Sequence, residues 1–161
     1  RLNRLLSVKA RLAGTAAVEH YTAVIAEHIM KSEEFHTMIV DPTIKNLIYW
    51  HAMEESEHRA VAFDTHKAVG GTYLQRAVAM TIVSIAIGPV VLAATLSCMK
   101  QDGELYNAKS WLKCADLYLG RKGLFRKMIP DLLCFYKPGF HPMQTNMEAS
   151  MKLWKERLSL V

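Results

Sequence analysis

The sequence predicts an all-α fold, and three observations carry that expectation. Residues of strong helix propensity dominate the chain. The 5 prolines sit at segment boundaries or interrupt long apolar runs. Histidines and carboxylates recur at helical spacing, His51, Glu54, Glu55 and His58 above all. At 161 residues, 51% hydrophobic and 22% charged, the chain is long enough for one hydrophobic core and too apolar for disorder. We expect one helical domain over 1–161, with a helix pair bearing the candidate site in 1–71 and an apolar hairpin plus C-terminal helices in 72–161.

The first helix is expected over 2–30, eased at Gly14. The pattern is already helical at Arg1, so the sequence reads as a fragment or a processed product. Residues 32–43 form a connection that ends at Asp41-Pro42, where Asp caps and Pro takes the first turn of a second helix. That helix runs to about Val69 and stops at Gly70-Gly71. Residues 77–99 carry no charge and are flanked by Arg76 and Lys100. Such a stretch is long enough to span a bilayer. Gly88-Pro89 at its centre is expected to kink or split it, which leaves a buried helical hairpin or a membrane-dipping segment as competing readings. Amphipathic helices follow at 111–119 and 146–158, with a loop-like Tyr136–Pro142 between them.

The net charge is +5, and Arg121, Lys122, Arg126 and Lys127 cluster around Gly123. This is either an ordinary solvated surface or a patch for anionic lipid. Nothing resembles a nucleic-acid-binding motif, so nucleic acid is not an expected partner. Cys98, Cys114 and Cys134 are odd in number and widely spaced, which excludes a disulfide framework and a zinc ribbon. They read as small, mostly buried thiols of a reducing, cytoplasmic compartment, with inner-membrane association through 77–99 as the variant.

The chemistry concentrates on two helices. On the second, His51, Glu54, Glu55 and His58 share one sector, where a core stripe is expected. Buried bare, such groups are costly, so they need partners or a metal. Glu55 and His58 form Glu-x-x-His, which stacks a carboxylate and an imidazole on adjacent turns. Two such pairs plus two further glutamates complete a carboxylate-bridged dinuclear site in helical bundles. Glu54 competes with Glu55 in angle, and His51 reads as a ligand or as a donor to one. On the first helix, Glu19 lies on a stripe of small residues with Ala16, Ala23 and Ala26. His20 points about 100° away and is expected to support the site from behind or to bridge helices. Asp64 orients a ligand histidine or serves as a cap or surface partner. The competing structural readings are a local surface pair for Glu55/His58 and an ion pair with Arg59 for Glu19.

At these residues the chain resembles the ferritin-like predicted metal-dependent hydrolases of bacteria. The resemblance rests on Glu19-His20-Tyr21-Thr22-Ala23, on Trp50 through His58, on Val61-Ala62-Phe63-Asp64 and on Pro138-Gly139-Phe140-His141-Pro142. It implies a ferritin-like bundle with Glu19, Glu55 and His58 as metal ligands. It also implies an earlier helix pair with a second Glu and a second Glu-x-x-His, which nothing here matches. The chain then corresponds to the C-terminal two-thirds of the family and holds half a site. Either the first half lies outside this sequence, or two copies pair as a homodimer. The expected cofactor is two divalent metal ions, with iron ahead of manganese because carboxylate and imidazole suit both. The expected activity is hydrolysis of a small-molecule or lipid-like substrate. The alternatives are a di-iron oxidoreductase or oxygenase, a metal-storage bundle, and a non-catalytic membrane-associated helical protein.

Overall fold

A computed structural model describes residues 6–121 and 123–158. Eight α-helices account for most of them, and no strand occurs among the described residues. The protein is an all-α helical bundle.

Helix α1 (Val8–Lys31) is its hub and packs against α3, α4, α5, α7 and α8. Its start is set by Ser7, whose hydroxyl accepts from the Ala10 amide. The expected start at residue 2 lies outside the described residues. The connection after α1 holds a short helix, α2 (Glu33–Met38), capped by Ser32. Asp41 and Pro42 open α3 (Pro42–His58) as expected, with the Asp41 carboxylate accepting from the Ile44 amide.

The second helix does not run on to Val69. It breaks at Arg59-Ala60, and α4 (Val61–Ala68) begins anew. No Gly or Pro marks the break in the sequence. Tertiary partners make it: the Arg59 side chain is buried and donates to the carbonyls of Ser56 and Pro142.

Helix α5 (Tyr73–Gln101) is a single element that carries Pro89 within it, so the predicted hairpin does not form. The residue before Pro89 is Gly88, and without a Cβ the usual clash with the proline ring is relieved. The helix is expelled rather than buried: only 6% of its most apolar window is buried, at a mean hydropathy of 2.3. By length and composition it could cross a membrane.

The last helices are α6 (Ala108–Leu119), α7 (Leu124–Cys134) and α8 (Glu148–Arg157). Sequence reading missed α7, because Gly120, Gly123 and Pro130 suggest loop. Gly123 instead precedes its first turn and Pro130 is accommodated within it. The cysteines are free but not mostly buried: Cys98 is exposed, and Cys114 and Cys134 are half-buried. In the basic cluster Arg121, Arg126 and Lys127 are exposed, whereas Lys122 lies outside the described residues.

Two cores result. One joins Ala13, Ala16, Ala17 and Tyr21 of α1 to Phe63, Met80, Phe135 and Phe140. The other joins Ala26 and Met30 to Tyr49, Ala52, Met53 and Trp154, with Tyr49 stacked on Trp154 at a centroid distance of 3.5 Å. The small residues of α1 let its neighbours approach closely on both sides.

Candidate metal centre

The site is built on the face that α1 and α3 share. Helix α3 buries Tyr49, Ala52, Met53 and Ser56. These form a competing i, i+3, i+4, i+7 stripe, and apolar groups win the core because charged ones lose hydration there. The sector of His51, Glu54, Glu55 and His58 therefore faces outward, contrary to the expected buried stripe. The His51 and His58 side chains are each 66% exposed, while Glu55 is drawn in to 29%.

What draws Glu55 in is α1. Thr22 donates its hydroxyl to Glu55 Oε2 at 2.6 Å. The other Glu55 oxygen lies 3.5 Å from His51 Nε2, one turn away. Glu54 sits 3.8 Å from His58 Nε2. The i, i+4 pairs thus take precedence over the expected Glu55/His58 i, i+3 pair, and of the two competing glutamates it is Glu55 that turns toward α1.

Glu19 has a structural role that the sequence reading did not foresee. Its Oε2 accepts the Ala62 amide at 3.0 Å. Ala60, at the head of α4, has no side chain able to cap, so a carboxylate from another helix does so. Arg59 is not its ion-pair partner. Burial pushes the Glu19 pKa up, the Ala62 amide opposes this, the nearby Glu55 carboxylate pushes it further up and His58 lowers it. Glu19 thus lies within reach of the charges of both Glu55 and His58.

The remaining candidates separate from this face. His20 is buried against the first core, tilted on Phe135 and edge-on to Phe140, with Nε2 at 3.2 Å from the Asp131 carbonyl. Its interhelical role holds, but it does not support the Glu19 carboxylate. Desolvation lowers its pKa to about 4. Asp64 pairs with His141 at 2.8 Å, on α4, and orients no ligand histidine of the α1–α3 face.

Sequence reasoning missed Thr22 and Glu27. The spacing of Glu19 and Thr22 on one helix, opposite an outward Glu55, was the available signal for Thr22. Glu27 is buried on α1, ion-paired with Lys31. It reads as an ordinary helix carboxylate until the fold buries it. A cavity of about 350 Å³ beside His28, Phe35 and Tyr118 contains none of the predicted ligands.

Among the described residues no three His, Cys, Asp or Glu side chains converge closely enough to enclose a cation. The donors of the α1–α3 face therefore fit a divalent metal in kind, being carboxylate and imidazole, but do not form a closed set within this chain.

Residues 1–146 match the family model described as predicted metal-dependent hydrolase. The chain belongs to this family. No curated protein and no solved structure matches it. Membership implies a metal cofactor. The matched region includes α1, α3 and α4, the helices that position Glu19, Glu55 and His58.

Proposed function

We propose that the chain supplies one half of a dinuclear, ferritin-like metal centre of a hydrolase, with Glu19, Glu55 and His58 as its ligands. The observation that supports this best is the Thr22–Glu55 bond, which draws the Glu55 carboxylate toward α1, near enough for its charge to push the Glu19 pKa up. Like charges side by side raise each other's free energy, and a cation would relieve that repulsion. Iron is the expected metal, manganese the second choice. A bound divalent cation would supply Lewis-acid activation of water for hydrolysis. The chain's own part is to hold Glu55 through Thr22, to hold Glu19 against α4, and to leave His58 free at the surface. Exposed Val18, Leu47 and Val61 around these groups suit burial against a further helix pair, and a second copy of the chain would provide one with the matching donors. Oxygen chemistry at a di-iron pair would use the same donors.

A second reading is favoured by the i, i+4 pairs themselves. His51–Glu55 and Glu54–His58 need no metal to be stable on a solvated helix. The face would then be an ion-pair network of a membrane-associated helical protein. Elemental analysis of the purified chain beside Glu55→Ala and His58→Ala separates the two. Both side chains are accessible enough to change without loss of fold. Iron or manganese in the parent and absent from both variants supports the metal centre. Light scattering across a metal titration then shows whether two chains share it. A parent free of metal after growth with iron and manganese, and unresponsive to either on titration, leaves the ion-pair network.

A further inference from the structure

A second site lies between α4, the head of α5 and the loop before the 3-10 turn at Pro142–Gln144, and it shares no residue with the α1–α3 face. It is a cavity of about 410 Å³ lined by His66, Lys67, Gly71, Thr72 and Arg76 among others. Four cationic or cation-capable side chains line it, His66, Lys67, Arg76 and His141, and no carboxylate is among the lining residues. Asp64, the nearest acid in sequence, is already held by His141.

His66 is the telling residue. It is 4% exposed, its ring forms part of the cavity wall, and its Nε2 has no hydrogen-bond partner. A buried ring nitrogen left unpaired is costly, so its site is expected to be satisfied by something. Gly71 packs against the face of this ring, which a side chain there would not allow: a Cβ would stand 2.2 Å from Nε2 and 2.3 Å from Cε1. Arg76 is buried, and it uses two of its donors on the Phe135 and Lys137 carbonyls. A guanidinium has five N–H groups, so others remain to bind a ligand. The first turn of α5, a 29-residue helix, forms another wall, but the reciprocal Thr72–Gln75 capping box already satisfies the Thr72 and Gln75 amides, so the donors for a ligand are the side chains.

We propose that this cavity binds a phosphate group. The donors converge from different elements, which suits a tetrahedral anion with several acceptor oxygens better than a flat carboxylate. The cavity is also roomier than phosphate alone requires, so the group would carry an organic remainder. Two sources share this chemistry. One is a soluble phosphomonoester. The other is a lipid headgroup, because α5 leaves the cavity directly into its exposed apolar stretch, with Leu74, Val78, Ile82 and Ile85 uncovered.

The test uses the full chain in non-ionic detergent. Inorganic phosphate is titrated at constant ionic strength while the histidine ring nitrogens are followed by NMR. Saturable movement of the His66 Nε2 resonance is expected with a dissociation constant of about 1 mM, as befits a few charge-assisted hydrogen bonds. The Lys67→Ala variant changes an exposed side chain and should bind about tenfold more weakly. His66→Gln should weaken binding as well, whereas Lys152→Ala, on α8, should not. Co-sedimentation with vesicles of phosphatidic acid in phosphatidylcholine then assigns the source. Binding that inorganic phosphate competes away places a headgroup in the cavity. Vesicle binding indifferent to phosphate, or none, leaves the soluble ester. No saturable response at His66, or equal affinity in parent and Lys67→Ala, overturns the proposal.

Discussion

Glu19 is the residue at which structure and proposed chemistry make opposite demands, so its substitutions are the most informative. Its carboxylate is partly desolvated, which disfavours the charged form, yet it accepts the Ala62 amide at 3.0 Å. Removing the acceptor in Glu19→Ala leaves that amide unpaired beside Ala23 and Ala62, both buried. A lost cap of this kind costs about 1–2 kcal/mol. For a chain of this size that lowers Tm by about 2–8 °C. Glu19→Gln keeps an oxygen in the same place and removes the charge, together with its repulsion from Glu55. The metal-free Gln variant should therefore lie within about 0.5 kcal/mol of the parent. Metal content reverses the comparison: a neutral amide is a poor ligand, so both variants should lose metal. Helix content against urea, followed by circular dichroism with chelator present, measures the first effect, and elemental analysis the second. If Gln destabilises the metal-free chain as much as Ala does, the cap is not what Glu19 provides. If Gln retains metal, Glu19 is not a ligand.

Three further outcomes are expected. His20 has a folded pKa of about 4 against an ordinary 6.5, so the unfolded chain takes up a proton first as pH falls. Stability should be constant above pH 6.5 as far as His20 is concerned and decline between about 6.5 and 4, by about 3 kcal/mol in total, a loss that urea titrations should find reduced in His20→Gln. Tyr49→Ala should destabilise by about 3–5 kcal/mol through loss of the Trp154 stack, whereas Tyr49→Phe should be neutral or stabilising because the buried hydroxyl has no partner; chemical denaturation distinguishes them. Ile85→Glu changes a residue 71% exposed on α5 and should leave detergent-solubilised stability within about 0.5 kcal/mol while reducing partition into liposomes; unchanged partition would remove α5 from any membrane contact.

Local signals in the sequence were enough for much of the fold. Asp41-Pro42 opens α3 because cap and first-turn chemistry act within four residues. The uncharged run at 77–99 became a helix because its composition leaves no other stable state. What stayed hidden depends on distant partners. The break at Arg59-Ala60 is made by a carbonyl at Pro142 and by a carboxylate at Glu19, neither adjacent in sequence. The same holds for the direction of α3. Its two candidate stripes are offset by two residues and so lie on nearly opposite faces, roughly 160° apart, and periodicity alone favours neither. Tyr49 and Met53 decide it by filling the space beside Trp154, more than ninety residues away. Glu19, Glu55 and His58 were legible as a group, but their exposure and their local pairing were not.

The division of α1 into two faces sets what any experiment on this site can mean. Glu19 and Thr22 turn toward α3 and α4, while the adjacent His20 and Tyr21 turn into the first core, where Tyr21 donates to Ser84 of α5. Two peptide bonds thus separate the candidate ligand Glu19 from Tyr21, which ties α1 to the apolar helix. A shift of α1 by a fraction of a turn would move both, because a helix transmits rotation rigidly over so short a distance. Loss of metal after a change at His20 or Tyr21 would therefore reflect a displaced α1 unless the fold is shown intact. A change at His58 avoids that coupling, since its side chain is 66% exposed on α3 and contributes to no core. Glu55 is tied to α1 through Thr22, so its substitution is read beside Glu19→Gln, which keeps the cap on α4 and removes only the charge.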